Sequence, residues 1–339
     1  MTPVSPVTPE TIAATDRWFL QHGLAYFVPE QRAAVRAALR PRRVLPLLAA
    51  TALGAAGVAV AVTLLADEIS FLPSILWTGF GIVATWYALT ALEARSIVTW
   101  ALARTFRSLW TLMPMMTRAL PLLLLFVTFL FVNAEAWEVA SHLDGGELWL
   151  VALLFGTMAG AFLLVRLPEE VDRTDDHVDD ALLLASTTGT PLEAAAQELV
   201  ADPDADPASY AEVSGYERWN LVLVLVVIQA TQVLLLAVGV FLFFMLFGAI
   251  TMESGIVTGW TGEEAHSLPG RFSNISVELV QVSVFLAAFS SLYLTVSTVT
   301  DETYRAQFFG SVLHELERAV GVRAVYLALR ASTPGGPTT

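Results

Sequence analysis

Residues 221–250 read LVLVLVVIQATQVLLLAVGVFLFFMLFGAI, thirty consecutive positions without a charged side chain. About 20 apolar residues in an α-helix are enough to cross the hydrocarbon layer of a bilayer, which is roughly 30 Å thick. Because a helix satisfies its own backbone hydrogen bonds in that layer, the stretch predicts a membrane-spanning helix. Its excess length requires the helix to tilt or to extend beyond the hydrocarbon.

Five further apolar stretches divide the chain, at 44–65, 71–92, 119–140, 148–167 and 275–300. The short turn after the first stretch predicts an antiparallel hairpin, and the third helix is expected to continue to about Ala140. The chain is 55% hydrophobic and 15% charged, whereas soluble domains carry about 25% charged residues. These features together predict an all-α polytopic membrane protein with six transmembrane helices.

The distribution of arginine predicts the orientation of these helices. All 18 basic residues are arginines, and 17 of them lie in the terminal regions or in alternate connections between the spans. Only Arg271 falls in the opposite set of connections. Because basic residues near span ends remain on the cytoplasmic side, we predict that both termini are cytoplasmic.

The predicted cytoplasmic segments have a helical character. Residues 1–43 are expected to form amphipathic helices, in which Pro29 is a favourable first residue. Residues 93–118 predict an interfacial helix, and 301–331 predict an amphipathic tail helix with one apolar face. The final segment, 332–339, is rich in Pro, Gly and Thr and is predicted to be disordered.

Residues 168–220 form the remaining predicted cytoplasmic segment, and they carry most of the net charge of −14. Fourteen carboxylates stand there against two arginines. We interpret this segment as a mobile acidic connection with short helices and not as a folded domain. The acidity gives no indication of nucleic-acid binding, so no nucleic acid is predicted as a partner.

The main candidate site lies at the predicted outer end of the third span. Glu135, Glu138 and His142 are spaced i, i+3 and i+7, so they share one face if the helix continues that far. Asn133 lies just below them. Glu278 and Gln281 enter the sixth span at a similar depth.

Three interpretations of this site remain open. The side chains are solvated at a helix end, they line a polar vestibule for protons or cations, or they bind a divalent cation. A metal centre needs ligands from a second helix or loop. These would come from Glu278 or from the last outer loop, through Glu263, Glu264 and His266.

Two other patterns lie within the spans. Gln229 and Gln232 lie within the fifth predicted span, where we expect these amides either to bond to a neighbouring helix or to belong to a permeation path. Gly156 and Gly160 form a GxxxG motif, which allows close approach between helices and predicts oligomerisation through this face.

The arginines of the cytoplasmic segments have three interpretations as well. They contact anionic lipid, they pair with the acidic segment, or they act only as topology determinants. The residues concerned are Arg32, Arg36, Arg40 and Arg43 in one stripe, and Arg104 and Arg107 in a second.

Three short stretches carry a resemblance to a known group. Residues 131–137 (FVNAEAW), 167–170 (LPEE) and 300–304 (TDETY) resemble those of uncharacterised multi-pass membrane proteins from GC-rich Gram-positive, actinobacterial-type bacteria. The resemblance implies a location in the plasma membrane. It implies no activity, substrate or site residue.

No nucleotide-binding, hydrolase or metalloprotease motif is present, so the sequence does not favour an enzyme. Cysteine is absent, which excludes disulfides and thiolate metal sites. The leading hypothesis is an assembly or regulatory membrane protein whose cytoplasmic face binds a protein partner. The alternatives are a transporter of small solutes or cations with an outer acidic vestibule, and a metal-dependent membrane enzyme.

Overall fold

The computed structural model describes residues 9–175, 178–266, 275–300 and 302–332, without the side chains of 108–123, 126, 173–175, 298–300, 302–313 and 332. This part of the chain is almost entirely helical. The α-helices are α1 (Pro9–Gln21), α2 (Pro29–Ala38), α3 (Pro41–Ala66), α4 (Phe71–Thr90), α5 (Ala94–Phe131), α6 (Ala134–Ser141), α7 (Glu147–Asp175), α8 (Asp180–Thr187), α9 (Glu193–Ala201), α10 (Gly215–Thr251), α11 (Ser254–Thr261), α12 (Val277–Thr300) and α13 (Glu302–Ser332).

Among the described residues, five helices are long and apolar enough to cross a membrane, namely α3, α4, α7, α10 and α12. The prediction of an all-α chain is confirmed, and these helices are consistent with an integral membrane protein, whereas the number of six spans and their orientation stay predictions. The predicted third span falls on the second half of α5, much of which has side chains outside the described part.

Helix α10 is the centre of the bundle and packs against α5, α7 and α12. Its buried side chains include Leu236, Val240 and Phe244, and they belong to one apolar cluster with α12. Gly248 allows the closest approach, since a Cβ atom there would lie 2.2 Å from a terminal methyl group of Leu279. Small residues at such crossings let membrane helices pack through van der Waals contact.

Helices α3 and α4 form a peripheral hairpin, as the short turn between them predicts. Most apolar side chains of α3 are exposed, which suits a helix whose surroundings are lipid. The hairpin is attached to the start of α7 through polar contacts. Ser74 Oγ donates to the carbonyl of Gly146 at 3.0 Å, and Trp149 Nε1 donates to Thr78 Oγ1 at 2.8 Å.

The structure differs from the sequence prediction between α5 and α6. The sequence predicted an interfacial helix over 93–118 and a separate span over 119–140. Instead α5 is continuous and ends at Phe131, and α6 begins anew at Ala134. Asn133 is the reason for the restart, because its side chain accepts the backbone N–H of Glu135 and caps α6.

A second correction concerns the acidic segment, which is folded. Helices α8 and α9 and the 3₁₀ turn Pro207–Tyr210 pack on α13, and α1, α2 and the turn Ala25–Phe27 join them. We call this assembly the terminal domain. Its hydrophobic core continues into the nearby ends of α5, α7 and α10. Short apolar runs that look mobile in isolation are therefore buried by segments distant in sequence.

The terminal domain also explains why α7 passes the predicted end of its span. The helix continues through Pro168 to Asp175. Leu167 and Val171 are fully buried in the core of the terminal domain. This burial holds the additional turns of α7 in place. We refer below to the domain end of the bundle and to the opposite, distal end, where α6 packs on α12 and α11 packs on α6.

Candidate functional site

The predicted acidic site lies at the distal end, but its members are separated. Helix α6 buries Trp137 and Ala140, which leaves Glu135 and Glu138 exposed. The indole Nε1 of Trp137 donates to the carbonyl of Phe131, which the end of α5 leaves free, at 2.6 Å. His142 is also exposed and its Nδ1 lies 2.6 Å from the carbonyl of Glu138. These three groups therefore face away from the core.

Glu278 has a different partner. Its carboxylate is buried, and Oε1 accepts the backbone N–H of His266 at 3.1 Å and lies 2.9 Å from His266 Nδ1. The hydrogen bond to Glu278 raises the pKa of His266. The loop before α12 thus supplies a partner for Glu278, and it does not bring Glu278 or His266 to Glu135, Glu138 and His142. Gln281 donates to the carbonyl of Leu143 at 3.3 Å and fastens α12 to the loop after α6.

A metal centre gains no support from this arrangement. Over the described residues, no group of three or more His, Asp or Glu side chains could hold a metal ion. Glu278 and His266 supply two groups, while Glu135, Glu138 and His142 stand elsewhere on the surface. Structural zinc sites, by comparison, use four protein ligands.

The two amides of α10 are buried, as their position in the span predicted. However, Gln229 Nε2 and Gln232 Oε1 have no hydrogen-bond partner within the described residues, and neither does Ser283 Oγ on α12. The two amides lie apart from Glu278, whereas Ser283 is only five residues from Glu278 along α12. Gln229 and Gly248 are separated by about 28 Å along α10 at 1.5 Å per residue.

The arginines of the predicted stripes have unequal surroundings. Arg32 pairs with Glu217 at 2.7 Å, and Arg104 pairs with Glu315 at 3.1 Å. Arg36 lies over the ring of Tyr216, 5.7 Å from its centre. The remaining three, Arg40, Arg43 and Arg107, are exposed.

The most strongly bonded group at the domain end is Glu217, in the first turn of α10. Its side chain is 5% exposed, and that of Arg323 is 8% exposed. Arg323 donates from Nε to Glu217 Oε2 at 2.6 Å, and Arg32 donates to Oε1 at 2.7 Å. Arg323 also donates to the carbonyls of Tyr210 and Glu212. One carboxylate therefore joins α2, α10 and α13, and Arg323 adds the end of the acidic segment.

Asn220 extends this network by one helical turn. It is fully buried, accepts the backbone N–H of Tyr26 at 2.8 Å and donates to the carbonyl of Gly23 at 2.8 Å. Tyr26 in turn donates its hydroxyl to the carbonyl of Leu92 at 2.7 Å. Burial raises the pKa of Tyr26 to about 12, so the hydroxyl remains a donor at neutral pH. The N-terminal segment is thereby fixed to α10 and to the end of α4.

Sequence reasoning missed Glu217, Asn220 and Arg323. A signal for two of them exists, since Glu217 and Asn220 share the spacing of the buried face that continues through Leu221 and Val224. In a uniformly apolar helix this spacing is hidden. The partner Arg323 lies more than 100 residues away, and no local pattern identifies it.

The GxxxG glycines lie on a face of α7 that the described residues do not cover. A Cβ atom at Gly156 or Gly160 would meet nothing within 4 Å. Among the described residues, no other helix makes a close approach to these glycines. Oligomerisation through this face stays a prediction.

Comparison of the chain with protein-family models, with curated proteins and with solved structures gave no match. The resemblance to actinobacterial membrane proteins therefore stays a prediction. Function has to be inferred from the geometry of the molecule alone.

Proposed function

We propose that this protein is an assembly or regulatory protein of the plasma membrane, with six spans and both termini in the cytoplasm. In this proposal the terminal domain is the working part, and it binds a protein partner through its acidic surface. In addition to α3, α4, α7, α10 and α12, the second half of α5 crosses the membrane as the third span in chain order.

The observation that carries the proposal is the Glu217 network. A buried carboxylate held by two arginines fixes both terminal segments to α10. The core of the terminal domain is continuous with the ends of α5, α7 and α10. A partner that changes the packing of this core would therefore also change the packing of those helix ends. This coupling supports a regulatory or assembly role.

The exposed carboxylates of the terminal domain favour a protein partner with basic side chains. Carboxylates of the acidic segment are exposed on α8, on the turn before Pro207 and on the strand-like connection to α10, at Asp180, Asp204 and Glu212. Anionic lipid headgroups repel such a surface. A basic protein surface would attract it, and the attraction would weaken with salt.

A second candidate function is the transport of small solutes or cations. The observation that favours it is that two buried amide atoms of α10, Gln229 Nε2 and Gln232 Oε1, have no hydrogen-bond partner within the described residues. Unsatisfied groups in a bundle often contact water or a permeating ion. The apolar contacts of Val240 and Phe244 lie between these amides and the distal end. Transport would therefore require these apolar contacts to open.

Orientation is tested by labelling single cysteines, because the natural chain has none. We would introduce Asp144→Cys at the distal end, Ser209→Cys in the acidic segment and Ala331→Cys near the C-terminus. A membrane-impermeant maleimide should label only Asp144→Cys in intact cells and should label the other two after permeabilisation. Labelling of Ser209→Cys in intact cells would reverse the proposed orientation.

The partner is tested by photo-crosslinking in native membranes. A triple variant, D180N/D204N/E212Q, removes three exposed charges without removing a described helix cap. The matched control, D144N/E253Q/E264Q, removes three exposed charges at the distal end. Salt-sensitive crosslinks that persist in the control and vanish in the triple variant would support the proposal. An identical crosslinking pattern for wild type and triple variant would refute it.

A further inference from the structure

A cavity of about 730 Å³ opens beside the Glu217 network. Helix α2 contributes Arg32 and Arg36, α13 contributes Arg323 and Arg330, and the first turn of α10 closes one side. Ligand pockets in proteins have volumes of roughly 300–1,000 Å³. The size of the cavity therefore suits a headgroup or a ligand as large as a nucleotide.

The charge of this cavity contrasts with that of its surroundings. Four arginines line it with a single carboxylate, that of Glu217, although the rest of the terminal domain is rich in exposed acids. Arg32 and Arg323 bind that carboxylate. Arg36 and Arg330 form no ion pair within the described part of the chain. An excess of positive charge therefore remains in the cavity.

Arg36 and Arg330, which form no ion pair within the described residues, each lie against an aromatic ring that does not neutralise their charge. Arg36 lies over the ring of Tyr216, and Arg330 lies 5.5 Å from the centre of the ring of Tyr326. Stacking on a ring orients a guanidinium but does not neutralise it. Asp16 accepts the hydroxyl of Tyr326 at 2.9 Å, and that hydroxyl accepts a hydrogen bond from Arg330 Nη1 at 3.3 Å. An oriented guanidinium without a counter-ion is suited to bidentate binding of phosphate.

The start of α10 adds backbone donors to the same cavity. Ser214 and Gly215 line it, and Ser214 caps the helix without a side-chain hydrogen bond. The first N–H groups of a helix lack partners within the helix and carry a partial positive charge. Together with the arginines they form an arrangement typical of phosphate binding.

We propose that this cavity binds the phosphate group of an anionic ligand, through Arg36, Arg330 and the amides at the start of α10. The inference is independent of the proposed protein partner. Glu217 lies about 6 Å along the helix from Leu221, where the uncharged run begins. A phospholipid headgroup at the membrane surface and a soluble phosphorylated molecule can both reach that depth, and their shared chemistry is the phosphate.

The experiment uses the full chain in nanodiscs and two probes. Pyrophosphate is titrated calorimetrically into protein in pure phosphatidylcholine. Separately, retention of phosphatidylglycerol is measured by native mass spectrometry after release from nanodiscs that contain both lipids. The variants are Arg36→Gln and Arg330→Gln, which leave the ion pairs of Glu217 intact. The control is Arg42→Gln, an exposed arginine near the same surface but outside the cavity.

We expect at least one probe to bind the wild type, and each cavity variant to weaken that binding by about tenfold or more, because each removes a charge-assisted hydrogen bond. Arg42→Gln should retain binding within about twofold. Binding of pyrophosphate indicates a soluble ligand, and binding of phosphatidylglycerol alone indicates a headgroup.

Two results would overturn the proposal. The first is that neither probe binds the wild type. The second is that Arg42→Gln loses as much binding as the cavity variants, which would show only a general attraction to basic protein. Thermal unfolding of every variant, measured in parallel, separates lost binding from lost folding.

Discussion

The two ends of α10 are held by different forces. At the domain end, Glu217 and Asn220 are buried and hydrogen-bonded to segments distant in sequence. At the distal end, Phe244 and Gly248 pack against apolar side chains of α12 and α5. A polar network fixes geometry strictly, because each missing partner leaves a buried group unsatisfied. Apolar side chains can shift to accommodate a substitution, and the free-energy cost depends on how well the new side chain fits the available space.

The largest effect should follow removal of the buried carboxylate. Glu217→Ala leaves Arg323 buried without its counter-ion, which costs about 3–5 kcal/mol in comparable buried pairs. We expect the terminal domain to unfold or to become sensitive to protease while the bundle persists. Limited proteolysis and denaturant unfolding in detergent measure this change.

The matched control for this prediction is Asp172→Ala. Asp172 receives two hydrogen bonds from Arg218, at 2.8 and 2.7 Å, but this pair is largely exposed. Such pairs contribute about 0–1 kcal/mol. If the two variants lost equal stability, burial would not be the property that distinguishes the domain end.

Asn220→Ala tests the second member of the network. It removes an acceptor for Tyr26 N–H and a donor for the carbonyl of Gly23, both buried. Leaving buried backbone groups unpaired costs about 1–3 kcal/mol. Hydrogen exchange should show faster opening around Gly23 and Tyr26. Unchanged protection at both positions would contradict a role for Asn220 in holding the N-terminal segment.

The distal end should respond to added volume. Gly248→Ala places a methyl group 2.2 Å from Leu279 Cδ1, and accommodating it should cost about 1–3 kcal/mol. Gly239→Ala on the same helix is the control, because a Cβ atom there meets nothing within 4 Å. The thermal unfolding temperatures of both variants measure this cost. A Gly248→Ala protein as stable as the Gly239→Ala protein would show that Leu279 adjusts at little cost.

The same contrast explains what the sequence predicts and what it does not. Uncharged length in residues such as 221–250 identifies spans, because hydrocarbon imposes the requirement locally. The start of the new helix α6 after Asn133 depends on one helix cap. The apolar pattern continues across this position and therefore does not predict the break. The sequence does not predict the terminal domain, because the core of that domain joins short apolar runs from both ends of the chain. Nor does it predict the Glu217 network, because the partner Arg323 lies on α13. Long-range pairing of this kind leaves no local periodicity.

The smallest predicted effect concerns the contact between His266 and Glu278 at the distal end. His266 is 73% exposed and lies against the buried carboxylate of Glu278, which raises the pKa of His266 above 6.5. A raised folded pKa means that the contact stabilises the fold fully below 6.5, and that this contribution disappears as the pH rises through the folded value. An NMR titration of the His266 ring should give a midpoint above 6.5 in the wild type and a lower midpoint in Glu278→Gln. Within the described residues the Glu217 network contains no histidine, so its ion pairs should not respond over the same pH range. Equal midpoints in wild type and Glu278→Gln would show that the contact is not formed, and the distal end would then depend on apolar packing alone.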